Sequence, residues 1–224
     1  MWKTIVTTTA LAAALLAPNA YAGRSCEAEK PSVNSIRQSL NLAQNVATAL
    51  NNSGAQVVML GRQGQDLRKY DLQYSHMGWA YKAPTGEWRV VHKLNDCGSA
   101  LSHVYRQGLG EFFLDDLWRY QAVVAVPAPE VQQKLLLALS RNSSSLKMHQ
   151  PNYSMVAYTW SDRYQQSNQW ALETLAVAME PNTITNRSQA QAWLRYQGYQ
   201  PSDLRIRTLT RLGGRMTQAN IAFD

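Results

Sequence analysis

Two histidines, His76 and His92, carry the clearest chemical signal in the chain. They lie in Tyr74-Ser75-His76-Met77-Gly78-Trp79-Ala80-Tyr81 and Trp88-Arg89-Val90-Val91-His92, on either side of Pro84-Thr85-Gly86. Proline suits the first position of a type I turn, and glycine suits the left-handed third position of a three-residue hairpin loop. Such a loop pairs Ala83 with Glu87 and therefore Gly78 with His92. His76 becomes the diagonal neighbour of His92 on the same face, roughly 7–8 Å away at the backbone and within reach of two rings. A loop one residue longer or shorter would turn the rings to opposite faces. Glycine opposite His92 leaves the imidazoles room to approach. Adjacent imidazoles can serve as a catalytic base and the group that orients it. The competing reading is two unrelated polar residues on a solvated face.

The elements around this hairpin follow from periodicity. Val33, Ile36, Leu40, Ala43, Ala47 and Leu50 recur at helical spacing behind a possible cap at Ser32, and Asn51-Asn52-Ser53-Gly54 ends that helix. Gln56 to Arg62 reads as a strand, Tyr74 to Tyr81 and Glu87 to Leu94 as the hairpin, Ala100 to Gln107 as helical, and Arg119 to Val126 as a buried strand. Pro129 to Arg141 is a helix opening at proline, with a polar loop at Asn142 to Ser145. Tyr153 to Thr159 reads as a strand, Asn168 to Met179 and Gln189 to Tyr196 as helices, and Arg205 to Leu212 as a strand with Arg205, Arg207 and Arg211 on one face. The fold class is α+β, an antiparallel sheet flanked by helices, without internal repeat or long linker.

Resemblance adds to this reading. Ser75-His76-Met77-Gly78-Trp79-Ala80 resembles the S-H-V-G-I-Y strand of NlpC-type cell-wall peptidases and their permuted papain-like relatives. In those proteins the histidine is the base, and a second polar residue, often histidine, follows on the next strand as His92 does. In the permuted relatives the nucleophilic cysteine comes later, opening a helix. Arg163-Tyr164-Gln165-Gln166-Ser167-Asn168-Gln169-Trp170 is similar to that segment, and Ser167 falls where the cysteine would be. The resemblance implies a permuted papain-like fold with Ser167 as nucleophile, His76 as base and His92 as orienter. The substrate would be an amide or ester of a cell-wall peptide or other envelope polymer. Serine is a poorer nucleophile than the thiolate of a thiolate–imidazolium pair. A helix N-cap explains Ser167 equally well, so a catalytically inactive domain binding peptide or glycan stays open beside the enzyme. The mature chain, through Val91-His92-Lys93-Leu94-Asn95, Gly108-Leu109-Gly110-Glu111-Phe112-Phe113 and Ser167-Asn168-Gln169-Trp170, also resembles a bacterial exported family of unknown function. Its members continue past Phe223-Asp224, which implies truncation at the C-terminus.

A second candidate nucleophile is Cys97 in Asp96-Cys97-Gly98-Ser99, ahead of a helical pattern. An unpermuted peptidase would need its histidine later, on an S-H-x-G strand. Only His103 and His149 follow, neither in that context.

Composition and targeting bound the rest. Met1 to Ala22 has Lys3, an apolar run from Ile5 to Leu16 and an Ala20-Tyr21-Ala22 exit, the pattern of a cleaved signal peptide. The apolar run is too short for an anchor, which needs about 20 residues. Gly23-Arg24-Ser25 ahead of Cys26 is a poor lipoprotein box. The expected mature domain is residues 23–224, periplasmic or secreted, with no later membrane segment. The chain carries a formal net charge of +7 with only 17% charged residues. That suits association with anionic envelope polymers. It does not suit nucleic acid, since no Lys/Arg cluster is dense enough. The only two cysteines, Cys26 and Cys97, are expected to pair in an oxidising compartment, stabilising the fold by roughly 4 kcal/mol. Zinc-type spacings such as C-x-x-C are absent, and no cofactor is expected. Mass spectrometry of exported protein should find an N-terminus at or beside Gly23 and one Cys26–Cys97 crosslink. A lipid on Cys26, or two freely alkylated thiols, would overturn this.

Overall fold

Helix α1 (Val33–Asn52) starts where Ser32 caps it, the serine Oγ accepting from the Ser35 N–H at 3.0 Å. Its buried stripe is Ser39, Ala43, Val46 and Leu50, one step round from the most apolar stripe, so Val33 and Leu40 stay exposed. The structure, a computed structural model, describes residues 30–141, 146–202, 204–217 and 219–223. Met1 to Ala22, Cys26 and the polar loop at Asn142 to Ser145 lie outside the described residues.

Five strands follow: β1 (Val57–Gln63), β2 (His76–Lys82), β3 (Trp88–Asn95), β4 (Ser102–Gly108) and β5 (Arg119–Ala125). They form one antiparallel sheet in the order β4-β3-β2-β1-β5. The short helix α2 (Leu109–Phe113) leads into β5, and α3 (Pro129–Ser140) follows it. The chain then forms α4 (Ser167–Met179), α5 (Arg187–Tyr196) and α6 (Thr208–Thr217).

Strand alternation assigns the two faces. Val58, Leu60, Ala80 and Val90 pack with Ala43, Val46 and Leu50 of α1 and with Phe112 and Phe113 of α2. On the other face Val57, Trp79, Tyr81 and Val91 pack with Leu135 and Leu139 of α3 and Trp170 and Ala171 of α4. The Trp79 indole N–H, fully buried, donates to the Ala171 carbonyl at 2.8 Å, satisfying its one polar group. A third cluster joins α4 to α5 through Val177, Ile184, Ala190 and Leu194.

The hairpin forms as its turn chemistry requires. Ala83 N–H donates to Glu87 O at 2.8 Å, Gly86 has φ +97°, and Trp79 pairs with Val91, which places Gly78 across from His92.

Four elements differ from the sequence expectation. Ala100 to Gln107 is strand β4, not helix. Leu101 and Val104 mimic helical spacing, but Ser102, Val104 and Arg106 turn to one face and His103, Tyr105 and Gln107 to the other, as their pairing with β3 requires. Tyr153 to Thr159 is not a strand, because Tyr153 N–H donates to Ala100 O and Met155 N–H to Asn220 O. Arg205 to Leu212 enters α6, so Arg205, Arg207 and Arg211 form no strand face; Arg211 stands 4.5 Å over the Phe223 ring instead. Strand β5 is an edge strand with Val123, Val124 and Val126 exposed, not a buried one.

A methyl group on Gly78 would stand 2.8 Å from His92 Cβ and 2.9 Å from the Val91 carbonyl oxygen. Gly78→Ala should therefore cost about 1–3 kcal/mol, as overpacking does, and push the two imidazoles apart. Denaturant unfolding checks the first effect and histidine ring NMR the second. An unchanged midpoint with unchanged ring shifts would refute it.

Candidate functional site

The β2–β3 ladder runs from Lys82 and Trp88 to Trp79 and Val91. Beyond that pair the strands part, and the site lies in the opening. His76 Nε2 and His92 Nδ1 are 2.8 Å apart, and His92 Nε2 is 2.7 Å from Gln107 Oε1 on β4. The ring centroids lie 5.1 Å apart at 69°. Phe112 stands edge-on to His92 at 5.1 Å and tilted against His76 at 5.9 Å. Across β1 from His76 is the buried Arg62. Its guanidinium donates to the Phe112 carbonyl and the Asp115 carboxylate and lies 4.6 Å from the Phe112 ring.

Burial and the Arg62 charge set the protonation of both rings. Burial first, then Arg62, pushes His92 down to about 4, against a smaller opposing effect of the Gln107 hydrogen bond. The same two causes, with His92 itself third, hold His76 well below the usual imidazole range. Both rings are neutral at pH 7. With the Gln107 amide oxygen facing His92, the tautomers follow in sequence. His92 Nε2–H donates to Gln107, His92 Nδ1 accepts from His76 Nε2–H, and His76 Nδ1 is left with a lone pair. The arrangement is a base with two orienting groups behind it.

Helix α4 begins at this opening. Met77 N–H, which an extended ladder would direct across to Lys93, donates instead to Asn168 Oδ1 at 3.1 Å. Asn168 thus wedges between β2 and β3. Gln169 donates to the carbonyls of Thr159 and Ser161, and Trp170 fills the core. Ser167 is the first helical residue. The N-cap is Gln166, whose side chain accepts from Asn168 N–H at 3.2 Å, so the capping role expected of Ser167 belongs to its neighbour.

Tyr153 is buried, which raises its phenol, against a smaller opposing influence of Ser167. The Lys93 ammonium is 5.9 Å from the Tyr153 ring. Lys93 and His92 are consecutive on β3, so their side chains leave the sheet on opposite faces. The structure brings His76 and His92 together and bonds Ser167 to neither.

Two participants escaped the sequence reading. Gln107 was hidden by the helical reading of its segment; the alternation His103, Tyr105, Gln107 was the available signal. Lys93 is fully buried, donating to Gln150 O at 2.6 Å and Gln165 Oε1 at 2.7 Å, and burial pushes its amine down to about 7. Cys97 is disulfide-bonded; the only other cysteine in the sequence is Cys26, which lies outside the described residues. His103 is an exposed partner of Asp96 at 3.1 Å. Among the described residues no helix is long and apolar enough to cross a membrane.

The fold and site define an α+β domain with an antiparallel sheet and, at its splayed end, an imidazole pair in which His92 is buried and His76 half-buried. The chain belongs to a family of uncharacterised proteins conserved in bacteria (DUF2145), matched over residues 49–224. No curated protein and no solved structure matches it.

The lowered His92 pKa fixes the sign of a pH effect. A histidine at 6.5 when unfolded and about 4 when folded takes up a proton on unfolding between those values. Stability from this group is complete above 6.5 and is lost as pH falls towards 4. His92→Gln, which cannot titrate, should lose less stability than wild type over that window, by a few kcal/mol. Parallel acid-to-neutral denaturation curves for the two proteins would refute it.

Proposed function

We propose that the protein is an envelope hydrolase or acyltransferase acting on an amide or ester bond, working outside the cytoplasm on a permuted papain-like domain. The observation that supports this reading is the His76–His92–Gln107 relay, centred on the buried His92, which leaves a lone pair on His76 Nδ1. Ser167 is the proposed nucleophile. To act, its hydroxyl comes within hydrogen-bond reach of His76 Nδ1. The Oγ–H proton passes to His76 Nδ1 as Oγ bonds to the acyl carbon. The leaving amine or alcohol takes that proton as its bond to carbon breaks. Water, or an acceptor hydroxyl, then gives its proton to His76 Nδ1 as its oxygen bonds to the acyl carbon, and that proton passes to Ser167 Oγ as the acyl–Oγ bond breaks. His92 and Gln107 hold the base in the required tautomer throughout.

A specific observation favours a second reading. Ser167 is buried and hydrogen-bonds neither imidazole, whose bonds run to each other and to Gln107, as befits a catalytically inactive relative that binds envelope peptide or glycan.

An acyl-reactive activity probe, with the adduct located by mass spectrometry, separates the two. Under the enzyme reading Ser167→Ala and His76→Ala each abolish labelling, since removing a nucleophile or base can cost about 10⁶-fold. His92→Ala weakens it, and Ser167→Cys labels at least as well as wild type. If wild type never labels and Ser167→Cys gains nothing, the enzyme reading is lost and the binding domain stands.

A further inference from the structure

The loop from Gly64 to Ser75 encloses a groove of about 330 Å³, lined among others by Gln63, Asp66, Arg68, Asp71, Trp118 and Arg119. That volume is at the lower end of the range for small-ligand sites. The loop is closed at its neck by Ser75, whose Oγ accepts from Gly64 N–H at 2.9 Å and Gln65 N–H at 3.2 Å. Ser75 immediately precedes His76, so the loop ends where the strand that carries the imidazole begins.

Part of its wall is tied by an ion pair at the surface. The Asp66 carboxylate receives Arg68 Nε at 2.8 Å and Arg68 Nη2 at 2.6 Å, a bidentate fork. That hydrogen bond, above all, lowers Asp66 to about 2. The guanidinium held in this way stands 5.2 Å from the Trp118 ring, which braces an indole left 46% exposed. Asp71 lies in the left-handed region at φ +57°, a conformation that costs energy for a residue other than glycine.

These groups select among ligand classes. Asp66 and Arg68 neutralise each other in that fork, and Asp71 and Arg119 carry opposite charges, so the lining favours no net charge on the ligand. Peptides are commonly taken at sheet edges or in apolar grooves, and this lining is mostly polar. A ring with one flat C–H face and a rim of hydroxyls fits instead. Its face stacks on the indole, and its hydroxyls both donate to the carboxylates and accept from Arg119 and the glutamine amides. We infer that the groove between the Gly64–Ser75 loop and Trp118 is a binding site for a neutral saccharide. The inference is independent of whether Ser167 is a nucleophile.

The test is a titration of the mature chain with maltotriose, cellotriose and the N-acetylglucosamine trimer, followed by the indole N–H resonance of Trp118. Trp118→Phe assigns that resonance. Saturable shifts with at least one of the three are expected. Trp118→Ala and Arg119→Ala should each weaken binding by roughly tenfold or more. Ser167→Ala should bind as wild type does, so loss of the proposed chemistry would leave this site standing. No saturable shift with any trisaccharide, binding indifferent to Trp118, or binding confined to acidic saccharides or peptides overturns the inference.

Discussion

Lys93 leaves β3 towards α4 and is the first link in a buried polar chain that fastens the C-terminal part of the molecule to the sheet. Its ammonium holds Gln165 Oε1, and the Gln165 amide in turn donates to Met148 O and to Glu173 on α4. Glu173 pairs with Arg187 at 2.8 Å and accepts from Gln191 on α5. Arg187 reaches on to the carbonyls of Ser161, Asp162 and Tyr164. Sheet, connecting segment and two helices are joined by side chains that each lose a buried partner if one link is cut. Such a network is stable only when every member is satisfied. Removing one charge strands the others, at a cost larger than the net worth of the pair.

The position of α4 depends on this chain, and the opening of the site depends on α4. Asn168 can part β2 from β3 only because Glu173, less than two turns along the same helix, is anchored from below. Consecutive residues on β3 thus do separate work. His92 joins the relay on the α1 side, and Lys93 ties down the helix on the other. The sheet keeps the two polar groups apart by nothing more than its pleat.

The hairpin, α1, α3, α4 and α5 were legible in the sequence because each is decided locally. Pro84-Thr85-Gly86 sets the register, Ser32 starts a helix, and Pro129 opens another. Where the deciding partner is distant, the sequence misleads. The segment with Leu101 and Val104 has a helical look, and only the free edge of β3 makes it a strand. Gln107 was lost with it, although His92 could be read from the turn alone. Tyr153 to Thr159 carries strand-like residues, but its donors are taken by Ala100 and Asn220, so no ladder forms. Ser167 has the composition of a cap, yet Gln166 reaches the first free N–H. Lys93 gives no sign in a single sequence that it is buried, since its partners lie 57 and 72 residues away.

The two edges of the sheet are treated differently. Beside β4 the chain returns at Asn152, which bridges to Leu101, while Ser102 Oγ donates to Pro151 O at 2.9 Å. Beside β5 no strand is paired on the outer side among the described residues, and its exposed valines would make it sticky to any extended chain. Pro127 and Pro129 follow at once. Lacking N–H donors, they stop the ladder from lengthening, so β5 offers at most a brief stretch of open backbone. The length of backbone that edge can offer to another chain is therefore limited by two proline rings.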